Sequence, residues 1–170
     1  MKVFTLIFLL LFNLYAIEDR QLLMDSISQY AIRIGTGPNK TYTFVDPLCS
    51  KSQAFIRLIN ERKDLQEKTS YYIFLYKLSK FASDEYIQYI YQSPDPLSAL
   101  KEIMINQNYE VVDLFTPQPT TLMAIKKVAS IGKQMHIKRR PYLLIFTEGS
   151  PYCQVSEGTA PCLEENEFKD

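Results

Sequence analysis

The sequence predicts an α/β domain with a helical insertion, and three observations carry that prediction. Short runs rich in β-branched and aromatic residues recur at 30–34, 41–45, 70–78 and 142–146. Between them lie stretches with apolar residues every three or four positions, the period of an amphipathic helix. The resulting order is strand, helix, strand, helical insert, helix, strand, which is that of an α/β protein.

The first element is an export signal. Met1-Lys2, an apolar run to Leu14 and Ala16 precede the polar Ile17-Glu18-Asp19-Arg20, so residues 1–16 read as a signal peptide with cleavage after Ala16. Retention of the run as an anchor is the one route to membrane attachment that the chain offers. The expected location is therefore the periplasm. Removal leaves about 154 residues, enough for one domain with a real core. We divide them into a lead segment (17–29), the domain (30–149, with a helical insert at about 82–107) and a tail (150–170).

Residues 30–34 and 41–45, joined by Gly35-Thr36-Gly37-Pro38-Asn39-Lys40, read as a hairpin-like pair of strands. From Ser50 the period becomes helical, with Ala54, Phe55, Leu58 and Ile59 on one face. The continuous run Tyr71-Tyr72-Ile73-Phe74-Leu75-Tyr76 suits a central strand covered on both sides. Ser83-Asp84-Glu85 caps a helix through Ile87 and Ile90, and Asp95-Pro96 opens another through Leu100 and Ile103. Beyond Pro117 and Pro119 a long helix carries Leu122, Ile125, Val128, Ala129, Gly132 and Met135. Pro141 then enters the last strand at 142–146, and the tail beyond Gly149 reads as loop.

Nineteen basic residues balance nineteen acidic ones, which gives no global field for nucleic acid or an anionic membrane. No phosphate loop, zinc spacing or nucleic-acid motif is present, and His136 is the single histidine, so neither a metal nor a cofactor is expected. The stretch from His136 to Arg140 is basic, either a solvated face or a contact for a protein or anionic ligand. Tyr86, Tyr89 and Tyr91 are either core or an aromatic docking surface.

The chemistry concentrates in Phe44-Val45-Asp46-Pro47-Leu48-Cys49-Ser50-Lys51-Ser52, where a thiol sits between a strand and a helix. A helix N-terminus favours thiolate, and Lys51, Arg139 and Arg140 would add to this if Pro141 packs against Cys49. Three cysteines allow at most one intrachain bridge. Cys153 and Cys162 can close a local structural disulfide worth up to roughly 3 kcal/mol, or one of them can resolve Cys49 from the tail.

The combination of Phe44-x-Asp46-Pro47-x-Cys49-x-x-Ser52 after a strand, a helix ending in Met135-His136-Ile137, and Arg140-Pro141 before a strand resembles the thioredoxin-like fold, especially its periplasmic DsbC/DsbG branch. The resemblance covers roughly residues 30–149 and implies a central mixed sheet flanked by helices. It implies an aspartate three residues before a nucleophilic cysteine, matched by Asp46, and a cis proline facing the thiol, matched by Pro141. Two departures stand out: Ser52 where dithiol members carry the resolving cysteine, and Arg140 where threonine is common. With about fourteen residues between Ala16 and the first strand, no N-terminal dimerisation domain of the isomerase kind is expected.

The candidate chemical residues are thus Cys49 as nucleophile, Ser52 in place of the resolving sulfur, and Asp46 as a buried proton-transfer group or, alternatively, a turn cap. Arg140 and Pro141 are candidates for shaping the approach of an extended substrate. A mixed disulfide on Cys49 would need an outside thiol, such as glutathione or a second protein, to resolve it. The expected activity is monothiol exchange, isomerase- or reductase-like, on disulfides or oxidised thiols of envelope proteins. The alternative is a non-catalytic module of an envelope, secretion or conjugation assembly.

Overall fold

The computed structural model describes residues 20–112, 116–150 and 153–158. Residues 20–27 form helix α1, which runs into a short 3-10 turn at Ser28–Tyr30. Then follow β1 (Ile32–Ile34), β2 (Asn39–Val45), α2 (Ser50–Glu61), α3 (Lys63–Lys68) and β3 (Thr69–Leu75). The insert supplies α4 (Asp84–Gln92) and α5 (Pro96–Met104), and α6 (Pro119–Gln134), β4 (Tyr142–Phe146) and β5 (Cys153–Glu157) complete the chain.

The sheet has the order β1-β3-β2-β4-β5, with β2 and β3 parallel and the other three pairs antiparallel. The expected hairpin is therefore corrected. β1 and β2 do not pair, because β3 lies between them and Tyr71 faces Ile34 on one side and Thr41 on the other. The connection crosses the start of β3 instead of folding back. Thr36 and Gly37 donate their N–H groups to the Gln66 carbonyl, and Ser70 donates to the Gly37 carbonyl. A Cβ on Gly37 would fall 2.0 Å from the Lys68 backbone, so only glycine allows the crossing.

Alternation along β3 sends Tyr71, Ile73 and Leu75 to one face and Phe74 to the other. The first face packs on Phe55, Ile56 and Ile59 of α2, on Ile87 and Ile90 of α4, and on Leu100 and Ile103 of α5. The second packs Tyr42, Phe44 and Leu144 against Met24 and Ile27 of the N-terminal segment and Val128 of α6. Each such side chain contributes about 1.5–3 kcal/mol on burial, so both layers are needed to hold the sheet.

Two helices are rotated from their expected faces. Ile56 of α2 is buried while Ala54 is exposed, and in α6 Thr121, Ala124, Val128 and Gly132 face inward, leaving Leu122 and Met123 in solvent. β3 also ends earlier than its apolar run: the Tyr76 N–H still donates to the Val45 carbonyl of β2, but the carbonyls of Tyr76 and Lys77 and the N–H of Leu78 take the side-chain partners described below. The tail holds a strand where loop was expected: β5 pairs along the whole of β4, from Phe146 opposite Cys153 to Tyr142 opposite Glu157. Its sequence, Cys-Gln-Val-Ser-Glu, turns its one branched apolar residue outward, so it shows no hydrophobic pattern. Among the described residues, no helix is long and apolar enough to cross a membrane. The expected signal peptide, residues 1–16, lies outside them.

A candidate thiol site at the start of helix α2

The end of β2 turns on Asp46. Its own carbonyl accepts from the Cys49 N–H at 3.0 Å and its Oδ1 from the Leu48 N–H at 2.9 Å, a tight turn that Pro47 favours. Cys49 becomes the N-cap of α2, its carbonyl accepting from the Gln53 N–H at 2.9 Å, and no side chain caps the first turn. The thiol therefore sits among unpaired N–H groups at the positive end of the helix.

Cys49 is 7 % exposed, and its Sγ donates to the Arg140 carbonyl at 3.7 Å. The Arg140–Pro141 peptide is cis. The structure thus brings Cys49, Arg140 and Pro141 together from chain segments far apart. Ser52 is fully buried one turn into α2, where its Oγ accepts from the Asp46 N–H at 3.3 Å. It fastens the turn, and the position that would hold a resolving sulfur holds a hydroxyl.

Of the two roles open to Asp46, its hydrogen bonds are those of a cap. The carboxylate is completely buried and accepts from Leu48 N–H, from Ser83 Oγ–H at 2.7 Å and from Leu78 N–H. One side chain thereby joins the cysteine turn to the loop between β3 and α4. Sequence reasoning missed Ser83 as its partner, having read it as a helix cap; no side-chain cap bond forms there.

The side chain of Arg140, a candidate for shaping substrate approach, is turned inward. The residue is 4 % exposed, and its guanidinium donates to the carbonyls of Tyr76 (3.0 Å), Lys77 (3.2 Å), Ile137 (3.3 Å) and Arg139 (3.2 Å) while lying 3.9 Å from the centre of the Tyr76 ring. Burial pulls its pKa below the usual arginine value, opposed by the neighbouring Tyr76 and Asp46. What Arg140 presents to the thiol is its backbone carbonyl. Gly132 makes room for this stack, since a Cβ there would fall 2.3 Å from the Tyr76 ring. Gln53, also unnoticed in the sequence, donates to the Pro47 carbonyl and to Tyr109 Oη and so ties the turn to the end of the insert.

A cavity of about 530 Å³ opens beside Cys49, walled by Lys51, the Leu78–Phe81 loop, Lys138, Arg139, Glu157 and Gly158. β5 supplies that last wall. Gly158 donates its N–H to the Pro141 carbonyl at 2.8 Å, and its carbonyl accepts from Lys51 Nζ at 2.8 Å.

Cys153 carries a free thiol, half-buried, with burial pushing its pKa up. Cys162, its expected partner, lies outside the described residues. Cys153 starts β5 opposite Phe146, six residues along β4's direction from Arg140, which places it about 20 Å from the Cys49 end of the sheet. A bridge needs Cα atoms within about 7 Å, so Cys153 is no resolving partner while β5 is paired. His136 is exposed at the end of α6. Among the described residues, no three His, Cys, Asp or Glu side chains gather closely enough to hold a metal ion.

The fold is thioredoxin-like, a five-stranded mixed sheet flanked by helices. Its similarity to solved structures spans most of the chain. A disulfide interchange protein from Neisseria gonorrhoeae superposes with a TM-score of 0.62 at 20% identity, over 82% of this chain and 94% of that one. BcfH of Salmonella enterica Typhimurium gives 0.61 at 11% identity, over 96% and 83%. The catalytic domain of Proteus mirabilis ScsC gives 0.55 at 12% identity, over 82% and 90%. No family model matches the chain, and no curated protein matches it by sequence.

Proposed function

We propose that this is an exported thioredoxin-like protein that uses Cys49 as a single nucleophile on disulfides of envelope proteins, in the manner of a monothiol isomerase or reductase. The observation that carries the reading is the placement of Cys49 Sγ at the N-cap of α2, 3.7 Å from the Arg140 carbonyl that precedes cis Pro141, on the wall of an open cavity. The names of the similar solved structures support thiol-disulfide chemistry. With Ser52 buried in the turn, the mixed disulfide is released by an outside thiol, an envelope protein or a small reductant.

A second reading, the non-catalytic module of an envelope, secretion or conjugation assembly, draws on the low exposure of Cys49. Replacing Cys49 by serine separates the two. The redox reading expects loss of mixed-disulfide capture and of the cellular phenotype, and persistence of both phenotype and partner binding would sink it.

A further inference from the structure

The cavity beside Cys49 is cationic in a chain whose charges balance overall. Lys51, Lys80, Lys138 and Arg139 line it, all exposed, and Glu157 is the one carboxylate among its lining residues. Glu157 Oε1 is occupied by the backbone N–H groups of Lys138 and Arg139, at 3.0 and 2.8 Å. Among the described residues the ion pairs are Arg62–Asp64 and Lys77–Asp84, and neither includes a lining cation. Lys51 is fixed at the rim by the Gly158 carbonyl, and Lys80 lies 4.8 Å from the centre of the Phe81 ring, so two of these charges are held in place.

We propose that this cavity selects anionic disulfides, those with carboxylates next to the sulfur that Cys49 attacks. The inference rests on the reading of Cys49 as nucleophile. Four cations in a concave wall raise the local concentration of an anionic partner, and the N-terminus of α2 adds to the same field. The Cys49 thiolate attacks one sulfur of R–S–S–R, the S–S bond breaks, R–S⁻ leaves and Cys49–S–S–R forms. A second thiolate, R′–S⁻, then attacks the R sulfur of that mixed disulfide, giving R–S–S–R′ and returning the Cys49 thiolate, so the protein is neither oxidised nor reduced over the cycle. The carboxylates belong either to a small thiol of the glutathione kind or to an acidic segment of a protein.

The test is the rate of mixed-disulfide formation on Cys49 in the full chain with anionic glutathione disulfide, neutral 2-hydroxyethyl disulfide and cationic cystamine. Each rate is divided by that of the same disulfide with 2-mercaptoethanol. The expected order runs from the anionic to the cationic probe across about a tenfold range, collapsing at about 1 M salt, where the screening length is about 3 Å. The double variant Lys80→Glu, Lys138→Glu should remove the preference. Equal normalised rates, or cystamine fastest on a reactive Cys49, overturn the inference and leave the thiol reading standing. Silence towards all three probes overturns the thiol reading and this inference with it. Peptide disulfides flanked by glutamates or by lysines then identify the source: discrimination among them supports an acidic protein segment, and discrimination confined to glutathione disulfide supports the small thiol.

Discussion

The Cys49 thiol and the Arg140 carbonyl meet at 3.7 Å although ninety-one positions of sequence separate them. The carbonyl can face the thiol because the Arg140 side chain is turned away into four other carbonyls over Tyr76. One residue thus anchors the loop with its side chain and offers its backbone to the site.

That anchoring depends on Gly132. In Gly132→Ala the new methyl would fall 2.3 Å from the Tyr76 ring, so the ring must move and the guanidinium must lose its platform. We expect a loss of about 1–3 kcal/mol in urea unfolding, with faster alkylation of Cys49. Unchanged stability and unchanged alkylation would remove Gly132 from the account of the site.

Asp46 holds the cysteine turn and the loop after β3 through three donors. Asp46→Ala leaves those donors unpaired in a buried place, and we expect it to cost at least about 3 kcal/mol. If Asp46 were chiefly a proton-transfer group, the variant would fold with near-normal stability and fail only in the rate of exchange.

Ser52→Cys restores a second sulfur one helical turn from Cys49, about 5 Å between Cα atoms and within bridging range. After brief exposure to glutathione disulfide, peptide mapping should find Cys49 bridged to the introduced cysteine in the variant, where the wild type holds glutathione on Cys49. A variant that retains the mixed disulfide would show that the turn cannot bring the two sulfurs together.

Alkaline pH should loosen the domain through its tyrosines. Burial holds the phenols of Tyr91 and Tyr42 above their usual value, and Asp25, which accepts from Tyr42 at 3.0 Å, adds to the effect there. The unfolded chain releases these protons first, near pH 10, so stability is intact below about pH 10 and falls as the pH climbs towards the folded values. Tyr91→Phe removes one of these groups. It should lose about 1 kcal/mol at neutral pH, with the Leu75 N–H deprived of its acceptor, and show a shallower decline across alkaline pH. Parallel pH profiles for the two proteins would refute the assignment.

Much of this architecture was legible because its signals are local. The helices α2, α4, α5 and α6 and the strands β2, β3 and β4 each carry a period or an apolar run of their own, and Cys49, Ser52 and Pro141 stand beside them in sequence. What was missed is set by partners. β5 is held by backbone pairing to β4 rather than by apolar side chains, and β1 joins β3 because two glycines let the chain cross it. The inward turn of Arg140 depends on carbonyls of Tyr76 and Lys77, more than sixty positions away, and no neighbouring residue announces it.

β5 has one more effect, on distance along the chain. It carries the polypeptide back across the sheet and delivers Gly158 to the cavity wall, bonded to Pro141. The strand that closes the cavity wall beside Cys49 thus also zips Cys153 into the opposite end of the ladder, so pairing with β4 keeps these two thiols apart for as long as the sheet is intact.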